Sequence, residues 1–86
     1  MYWVVAYDIT SDQRRQKMLA MLKDYGLPVQ RSVVECDLEA ARFSQMRDRA
    51  LQLVHPKLDK IFFYRLCGAC WFQAERHGPG WSDLRK

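Results

Sequence analysis

The alternation of apolar and polar residues along the chain first predicts a strand, followed by a helix. The strand is the apolar, partly β-branched run Trp3–Tyr7, which we expect to be buried on both faces. Polar residues then break the run, and Ser11 is predicted as a helix N-cap. A helix over residues 12–25 is predicted, ended by Gly26 and Pro28. Its apolar positions recur at helical spacing: Met18, Leu19, Met21, Leu22 and Tyr25.

The next region is extended and is followed by a second helix. Val29–Cys36 fits either one long strand or a tight hairpin that bends near Arg31 and Ser32, and periodicity leaves both open. Asp37 is the predicted N-cap of the second helix, which ends before Pro56. The apolar stripe of this helix consists of Phe43, Met46, Ala50, Leu53 and Val54.

The C-terminal third of the chain predicts two further strands and a tail. Ile61–Cys67 is dense in aromatic residues, and Trp71–Glu75 fits a last short strand. We therefore expect one domain over residues 1–76 and a tail over residues 77–86. The element order is β-α-β(β)-α-β-β. The simplest arrangement of these elements places two helices on one face of a small, mainly antiparallel sheet. This is an α+β ferredoxin-like fold.

Length and composition narrow the class of protein. A chain of 86 residues fits one domain with a thin core, and such domains often gain stability by dimerising. The apolar fraction of 49% and the aromatic fraction of 13% exclude a disordered chain. No apolar run approaches the roughly 20 residues of a membrane helix, and Tyr2–Tyr7 is too short for a signal peptide. We expect a cytoplasmic protein with no membrane partner.

The charge balance points to an anionic partner. The chain has 14 Lys+Arg against 10 Asp+Glu, a net charge of +4. Nine of the 14 cations are Arg, which suits bidentate phosphate contacts better than Lys does.

Asp8 is the first candidate for chemistry. It directly follows the first strand, at the edge of the sheet where ligands often collect, and a carboxylate there would hold Mg²⁺. Asp8 is also the kind of residue that simply forms the turn before a helix, and position alone favours that simpler interpretation.

A run of cations in the first turns of the first helix is the second candidate. Arg14, Arg15 and Lys17 lie where the helix dipole disfavours positive charge, so they are candidates for phosphate contacts. The simpler interpretation is a solvated charged face. Ser32 would offer its hydroxyl to phosphate or to the backbone. Glu35 is expected on an edge strand, pointing to solvent, and an ion pair with a nearby Arg is the alternative.

Two other patterns favour structural interpretations. Cys67 and Cys70 form a C-x-x-C pair, but a zinc site lacks a second pair at the usual spacing, and three cysteines argue against a disulfide framework. Two half-buried thiols are the favoured interpretation. An aromatic cluster could stack on nucleic-acid bases only if its rings were exposed. Because the thin core needs these rings, we expect them in the core and in a dimer interface instead. The members of the cluster are Phe62, Phe63, Tyr64, Trp71 and Phe72.

Taken together, these fragments resemble one family. They are Val4 to Ile9, Asp12 with Arg14, Arg15 and Lys17, Tyr25-Gly26, Val29 to Glu35, and Asp59 with Tyr64 to Cys67. In this order they resemble the small CRISPR-associated core protein family that acts with the integrase in spacer acquisition, a part of antiviral defence. The resemblance covers residues 2–72. The family includes relatives that resemble toxin-type ribonucleases.

The resemblance implies a ferredoxin-like homodimer in which the last strand, here Trp71–Glu75, crosses to the partner's sheet. It implies that Asp8 lies near the two-fold axis, where two copies share one Mg²⁺ or other divalent cation as the catalytic metal site. Some members are Mg²⁺-dependent endonucleases on single-stranded RNA or duplex DNA, and others are non-catalytic bridges that hold DNA between integrase dimers.

The resemblance also bears on the binding residues. Arg14, Arg15 and Lys17 match the family pattern, and Arg31 and Ser32 complete the predicted nucleic-acid-binding set. The family usually has an aromatic residue at position 34, where this chain has Val34. That aromatic has been linked to nuclease activity in parts of the family.

Overall fold

Six elements make up residues 1–67, the part of the chain that the computed structural model describes. They are β1 (Tyr2–Asp8), α1 (Asp12–Leu22), β2 (Gly26–Gln30), β3 (Val33–Asp37), α2 (Ala40–Leu53) and β4 (Lys60–Leu66). The predicted strand Trp71–Glu75, the residue Cys70, the domain end at residue 76 and the tail 77–86 lie outside the described residues.

The four strands form one antiparallel sheet in the order β2-β3-β1-β4. This is the predicted α+β arrangement, with the element order β-α-β-β-α-β of a ferredoxin-like fold. The register places Val5 of β1 opposite Val34 of β3 and opposite Phe63 of β4. Because paired residues share a face of the sheet, these three side chains belong to one layer.

The core lies between this face of the sheet and the two helices. Fully buried side chains from both layers meet there, among them Val5, Val34, Met18, Leu22 and Met46. Within the single chain β1 is buried on this face only, so the prediction of burial on both faces is wrong. Alternate residues of β1 face away from the helices, on the side of the sheet that no element of residues 1–67 covers.

The start of α1 agrees with the prediction, and its end does not. The Ser11 hydroxyl accepts a hydrogen bond from the Arg14 amide at 3.3 Å, as an N-cap does. The helix ends at Leu22, three residues before the predicted boundary, and Lys23 is its C-cap. Gly26 instead begins β2, where a Cβ atom would overlap the carbonyl oxygen of Glu35. This glycine serves the close approach of two strands.

The N-cap predicted for α2 is also wrong. Glu39 occupies that position, without a side-chain hydrogen bond to the helix. Asp37 is the last residue of β3, and its carboxylate lies 3.1 Å from the amino group of Met1. The amide of Leu38 binds the carbonyl of Met1, so Asp37 is held in the sheet by the N-terminus.

The extended region before α2 is a hairpin, which settles the alternative that periodicity left open. The β2–β3 turn consists of Arg31 and Ser32, and Ser32 has a positive φ of 64°. Such a backbone costs about 1 kcal/mol for a residue with a side chain. The expectation for Glu35 is wrong, because β3 is an interior strand and Glu35 is only 7% exposed.

The second face of the sheet carries exposed apolar side chains. Leu27, Phe62 and Tyr64 are each about half exposed, at 48%, 48% and 52%. The rings of Phe62 and Tyr64 stack with centroids 6.1 Å apart. We call this surface the open face, made of Leu27, Glu35, Val4, Ala6, Phe62 and Tyr64. Phe63, one position away, belongs to the core, so the aromatic cluster divides between the two faces.

Candidate functional site at the end of strand β1

Asp8 is the last residue of β1, and its side chain is exposed. It lies on the open face, since alternate residues of the strand share a side and Val4 and Ala6 lie there too. Its carboxylate makes no hydrogen bond or ion pair with any other residue of the described range 1–67. Asp8 is therefore available to a ligand or to a second copy of the chain.

A lysine that the sequence analysis did not select lies beside Asp8. Lys60, the first residue of β4, pairs with Asp8 in the antiparallel register, so their Cβ atoms lie about 5 Å apart on the same face. Lys60 is exposed. A cation at this distance would attract a phosphate and limit the repulsion between that phosphate and Asp8.

The hairpin turn lies on the other side of Asp8. The amide of Tyr7 donates to the carbonyl of Ser32 at 3.0 Å, so the turn is held against the end of β1. Arg31 is exposed in this turn, and the Ser32 hydroxyl makes no hydrogen bond within residues 1–67. The structure thus brings Asp8, Arg31 and Ser32 to one edge of the sheet.

Arg14 is bound to a buried carboxylate. Its Nε donates to Oδ2 of Asp59 at 2.8 Å and its Nη2 donates to Oδ1 at 3.1 Å, which makes a bidentate ion pair. The Arg14 hydrogen bonds hold the pKa of Asp59 below its usual range, with further help from the amides of His55 and Thr10. The same bond raises the pKa of Arg14. Both groups are therefore charged at neutral pH.

Arg15 also holds the loop between β1 and α1. Its Nη1 donates to the carbonyl of Ile9 at 2.9 Å, and its Nη2 binds the carboxylate of Asp12. This pairing occupies Asp12, as the Arg14 pair occupies Asp59. Of the three carboxylates near the site, Asp8 alone has no such partner within the described range.

Lys17 has different surroundings from Arg14 and Arg15. It lines a groove of about 450 Å³ between α1 and α2, together with Met21, Arg49 and Leu53. Positions 15 and 17 lie about 160° apart around a helix, so Lys17 is on nearly the opposite side of α1 from Arg15. Arg15 and Lys17 therefore do not share one patch, and the assignment of all three cations to phosphate binding stays a prediction.

The donor set of one chain fits half of a magnesium site. Mg²⁺ prefers oxygen ligands and is often held by one or two carboxylates plus waters. Within residues 1–67 no cluster of three or more His, Cys, Asp or Glu side chains is placed to hold a metal. A site with two carboxylates therefore needs Asp8 from a second copy, which the open face would bring close.

Comparison with known proteins identifies the family. The family model described as CRISPR associated protein Cas2 matches residues 1–74, which include all six elements. The chain belongs to the Cas2 family. A relative from Chloroflexus aurantiacus, named CRISPR-associated endoribonuclease Cas2 1, is 41% identical over 81 residues, covering 93% of this chain and 87% of that protein. A Thermus thermophilus relative, named CRISPR-associated endonuclease Cas2 2, is 41% identical over 66 residues, covering 77% and 73%.

Solved structures show the same Cas2 fold. The crystal structure of Streptococcus pyogenes Cas2 superposes with a TM-score of 0.81 at 31% identity, covering 91% of this chain and all of that one (100%). That of the hypothetical protein TT1823 from Thermus thermophilus has a TM-score of 0.80 at 39% identity, covering 90% and 89%. No helix within residues 1–67 of this Cas2 chain is long and apolar enough to cross a membrane.

The roles of Lys60 and Asp59 in the site were missed by sequence reasoning for different reasons. Lys60 had a usable signal, since an exposed cation at the start of the strand that pairs with β1 would lie opposite Asp8. The Asp59–Arg14 pair joins residues 45 positions apart, and nothing in the spacing indicates it. Both residues lie at the Asp8 edge of this Cas2 sheet.

Proposed function

We propose that this Cas2 chain acts as a homodimer that binds nucleic-acid backbone and hydrolyses phosphodiester bonds at a divalent-metal site shared by two copies of Asp8. The observation that carries the proposal is the placement of Asp8. It is exposed, without a side-chain partner in the described range, and on the same face as the exposed rings of Phe62 and Tyr64. Two chains that met through this face would bring their Asp8 carboxylates together.

The site residues have distinct parts in this reaction. Mg²⁺ held by the Asp8 pair would activate water and neutralise the phosphate charge that grows in the transition state. Arg31 and Lys60 lie on either side of Asp8 and would hold the backbone phosphates on each flank. Ser32 would donate its hydroxyl to a phosphate oxygen. These contacts reach phosphates and not base edges, so binding would not depend on sequence.

Asp8→Asn tests the hydrolysis directly. We expect it to lower the rate of cleavage of single-stranded RNA or duplex DNA about 100-fold or more, since the charged metal ligand is lost. Gel assays with a Mg²⁺ titration and with a chelator measure this, and size-exclusion chromatography should show an unchanged dimer.

The matched control is Asp48→Asn, the same change at an exposed carboxylate of α2. It should cleave at the wild-type rate. Cleavage by Asp8→Asn at the wild-type rate would contradict the metal site, and wild-type cleavage that survives the chelator would contradict metal dependence.

A second role is favoured by the position of Val34. We propose that the dimer also serves as an adaptor that holds duplex DNA for the integrase during spacer acquisition, independently of hydrolysis. Val34 stands where the family usually has an aromatic residue, and its side chain is fully buried in the core, on the face of the sheet opposite Asp8. The adaptor needs the cations but not the metal.

The adaptor role is tested by separating charge from hydrolysis. Asp8→Asn should support spacer acquisition, whereas Arg31→Glu combined with Lys60→Glu should abolish it and weaken salt-sensitive DNA binding. Charge reversal at Arg14 and Arg15 is a poor test, because both arginines hold the loop after β1. Acquisition that fails with Asp8→Asn would show that adaptor and nuclease are not separable.

A further inference from the structure

The buried carboxylate of Asp59 is the centre of a hydrogen-bond cluster. Its side chain is 0% exposed and accepts five hydrogen bonds. The donors are the Thr10 amide (3.1 Å), the Thr10 hydroxyl (3.3 Å), the His55 amide (2.8 Å) and Arg14, which donates twice. Apolar residues often replace a buried ion pair without loss of stability. The cluster is therefore not by itself evidence that the pair is there for stability alone.

The pair leaves Arg14 partly available. Of the five N–H groups of its guanidinium, Nε and both of Nη2 are used, on Asp59 and on the hydroxyl of Thr10 at 3.2 Å. The two N–H groups of Nη1 make no hydrogen bond within residues 1–67, and the side chain is 30% exposed. A guanidinium held rigidly with one donor pair open is well suited to a phosphate oxygen.

Asp59 also connects the two segments that carry the site. Through Thr10 it binds the loop that directly follows Asp8. Its own neighbour in the chain is Lys60, which pairs with Asp8 across the sheet. One carboxylate thus ties Arg14 and the loop after β1 to the start of β4.

We propose that Asp59 is a positioning residue that preorganises Arg14 for a contact with nucleic-acid phosphate. The inference rests on the proposed backbone binding and adds to it a residue that touches no ligand. Asp59 lowers the entropic cost of the contact, because Arg14 does not have to be ordered when the phosphate arrives.

The direction in which Asp59→Asn changes nucleic-acid affinity distinguishes positioning from a simple charge effect. Asp59→Asn removes a negative charge, which by itself would tighten binding to a polyanion. Positioning predicts the opposite, a loss on the order of tenfold in affinity, which is the effect of one charge-assisted hydrogen bond. The slope of log affinity against log salt should also fall by about one for each phosphate that the variant no longer binds.

The assay is fluorescence anisotropy of the full chain with labelled single-stranded RNA and labelled duplex DNA, in chelator so that no cleavage occurs. The control is Asp24→Asn, which removes the same charge from a carboxylate 3.6 Å from Arg49, near the opposite end of α1. It should bind as tightly as the wild type or more tightly. Circular dichroism confirms that each variant is folded at the assay temperature.

A double-mutant cycle shows whether Asp59 acts through Arg14. Adding Asp59→Asn to Arg14→Gln should change affinity no further, since the positioned group is already absent. Equal losses with and without Arg14 would overturn the proposal, as would Asp59→Asn binding as tightly as the wild type. A wild type that binds neither nucleic acid would overturn the proposed function as well, and that result is read from the wild type alone.

Arg14→Lys keeps the test valid if Asp59→Asn does not fold. Lysine preserves the charge but cannot make the bidentate pair and also present a second donor pair. We expect it to lose about as much affinity as Arg14→Gln. Wild-type affinity in Arg14→Lys would show that only charge matters at this position, and would overturn the proposal.

Discussion

Two aspartates at the same edge of the sheet have opposite environments. The Asp8 carboxylate is exposed and makes no side-chain bond within the described range, whereas the Asp59 carboxylate is buried and accepts five hydrogen bonds. The first is suited to meet a ligand and the second to hold the residues around it. The residue type is the same, so the difference arises only from the neighbours that the fold supplies.

The lowered pKa of Asp59 makes part of the stability dependent on pH. Because its folded-state pKa lies below the ordinary value of 3.8, its contribution is fully present above about pH 4 and is lost as the pH falls through the folded pKa. We expect wild-type stability to fall more steeply below pH 4 than that of Asp59→Asn. Urea unfolding at a series of pH values measures both slopes.

Asp24→Asn is the control for this acid dependence, since Asp24 is exposed and its ion pair with Arg49 is long, at 3.6 Å. It should retain the wild-type dependence. An Asp59→Asn variant with the same acid slope as the wild type would show that the Arg14 pair does not favour the ionised carboxylate.

At the scale of elements, the β2–β3 hairpin decides what surrounds Asp8. Its turn is held by the Tyr7–Ser32 hydrogen bond, and its strands approach closely at Gly26. There the missing side chain leaves room for the Glu35 carbonyl and the Cys36 sulfur. Burial raises the pKa of the Cys36 thiol to about 11, so this cysteine is an unreactive core residue.

Gly26→Ala should therefore destabilise the hairpin. The new Cβ would overlap a backbone oxygen, so the strands must separate, at a cost of about 1–3 kcal/mol, typical of overpacking. Urea unfolding measures the change in midpoint. Gln30→Ala, at the exposed end of the same strand, should leave the midpoint nearly unchanged. A Gly26→Ala variant as stable as the wild type would mean that β2 shifts without cost.

At the scale of the molecule, dimerisation would resolve two features together: the core is thin, and no element of residues 1–67 covers the apolar open face. The helices cover one face of the sheet, and the open face presents Leu27, Phe62 and Tyr64 to solvent. Association of two chains through the open face would bury these side chains and bring two copies of Asp8 together. Dimerisation would then complete both the fold and the site.

Phe62→Glu should dissociate the dimer. Association through the open face would bury the new carboxylate against the same carboxylate of the partner chain or against an apolar ring, and a buried unpaired charge is costly. We expect a monomer by sedimentation velocity and loss of metal-dependent cleavage. Leu51→Glu is the matched control, a similarly exposed apolar residue on α2, at 51% against 48%. It should remain a dimer and cleave normally. A dimeric Phe62→Glu would place the interface elsewhere.

The fold was largely predictable because its determinants are local. The apolar periods of β1, α1 and α2 and the Ser11 cap need only neighbouring residues, and the element order then favours a ferredoxin-like sheet. Two predictions failed where a contact distant in the sequence determines the structure. Asp37 was assigned as a cap and Gly26 as a helix end, yet the N-terminus holds the first and a neighbouring strand requires the second.

The order of residues alone was enough for the elements, the basic charge, the family resemblance and Asp8 as the candidate acid. Which charges are available depends instead on how the chain packs. Packing pairs Arg14 with Asp59, ties Arg15 to Ile9 and places Lys60 beside Asp8. The Arg14–Asp59 and Asp8–Lys60 contacts join residues 45 and 52 positions apart, through loop packing and strand register, and no local pattern encodes which partner each of these charges will meet.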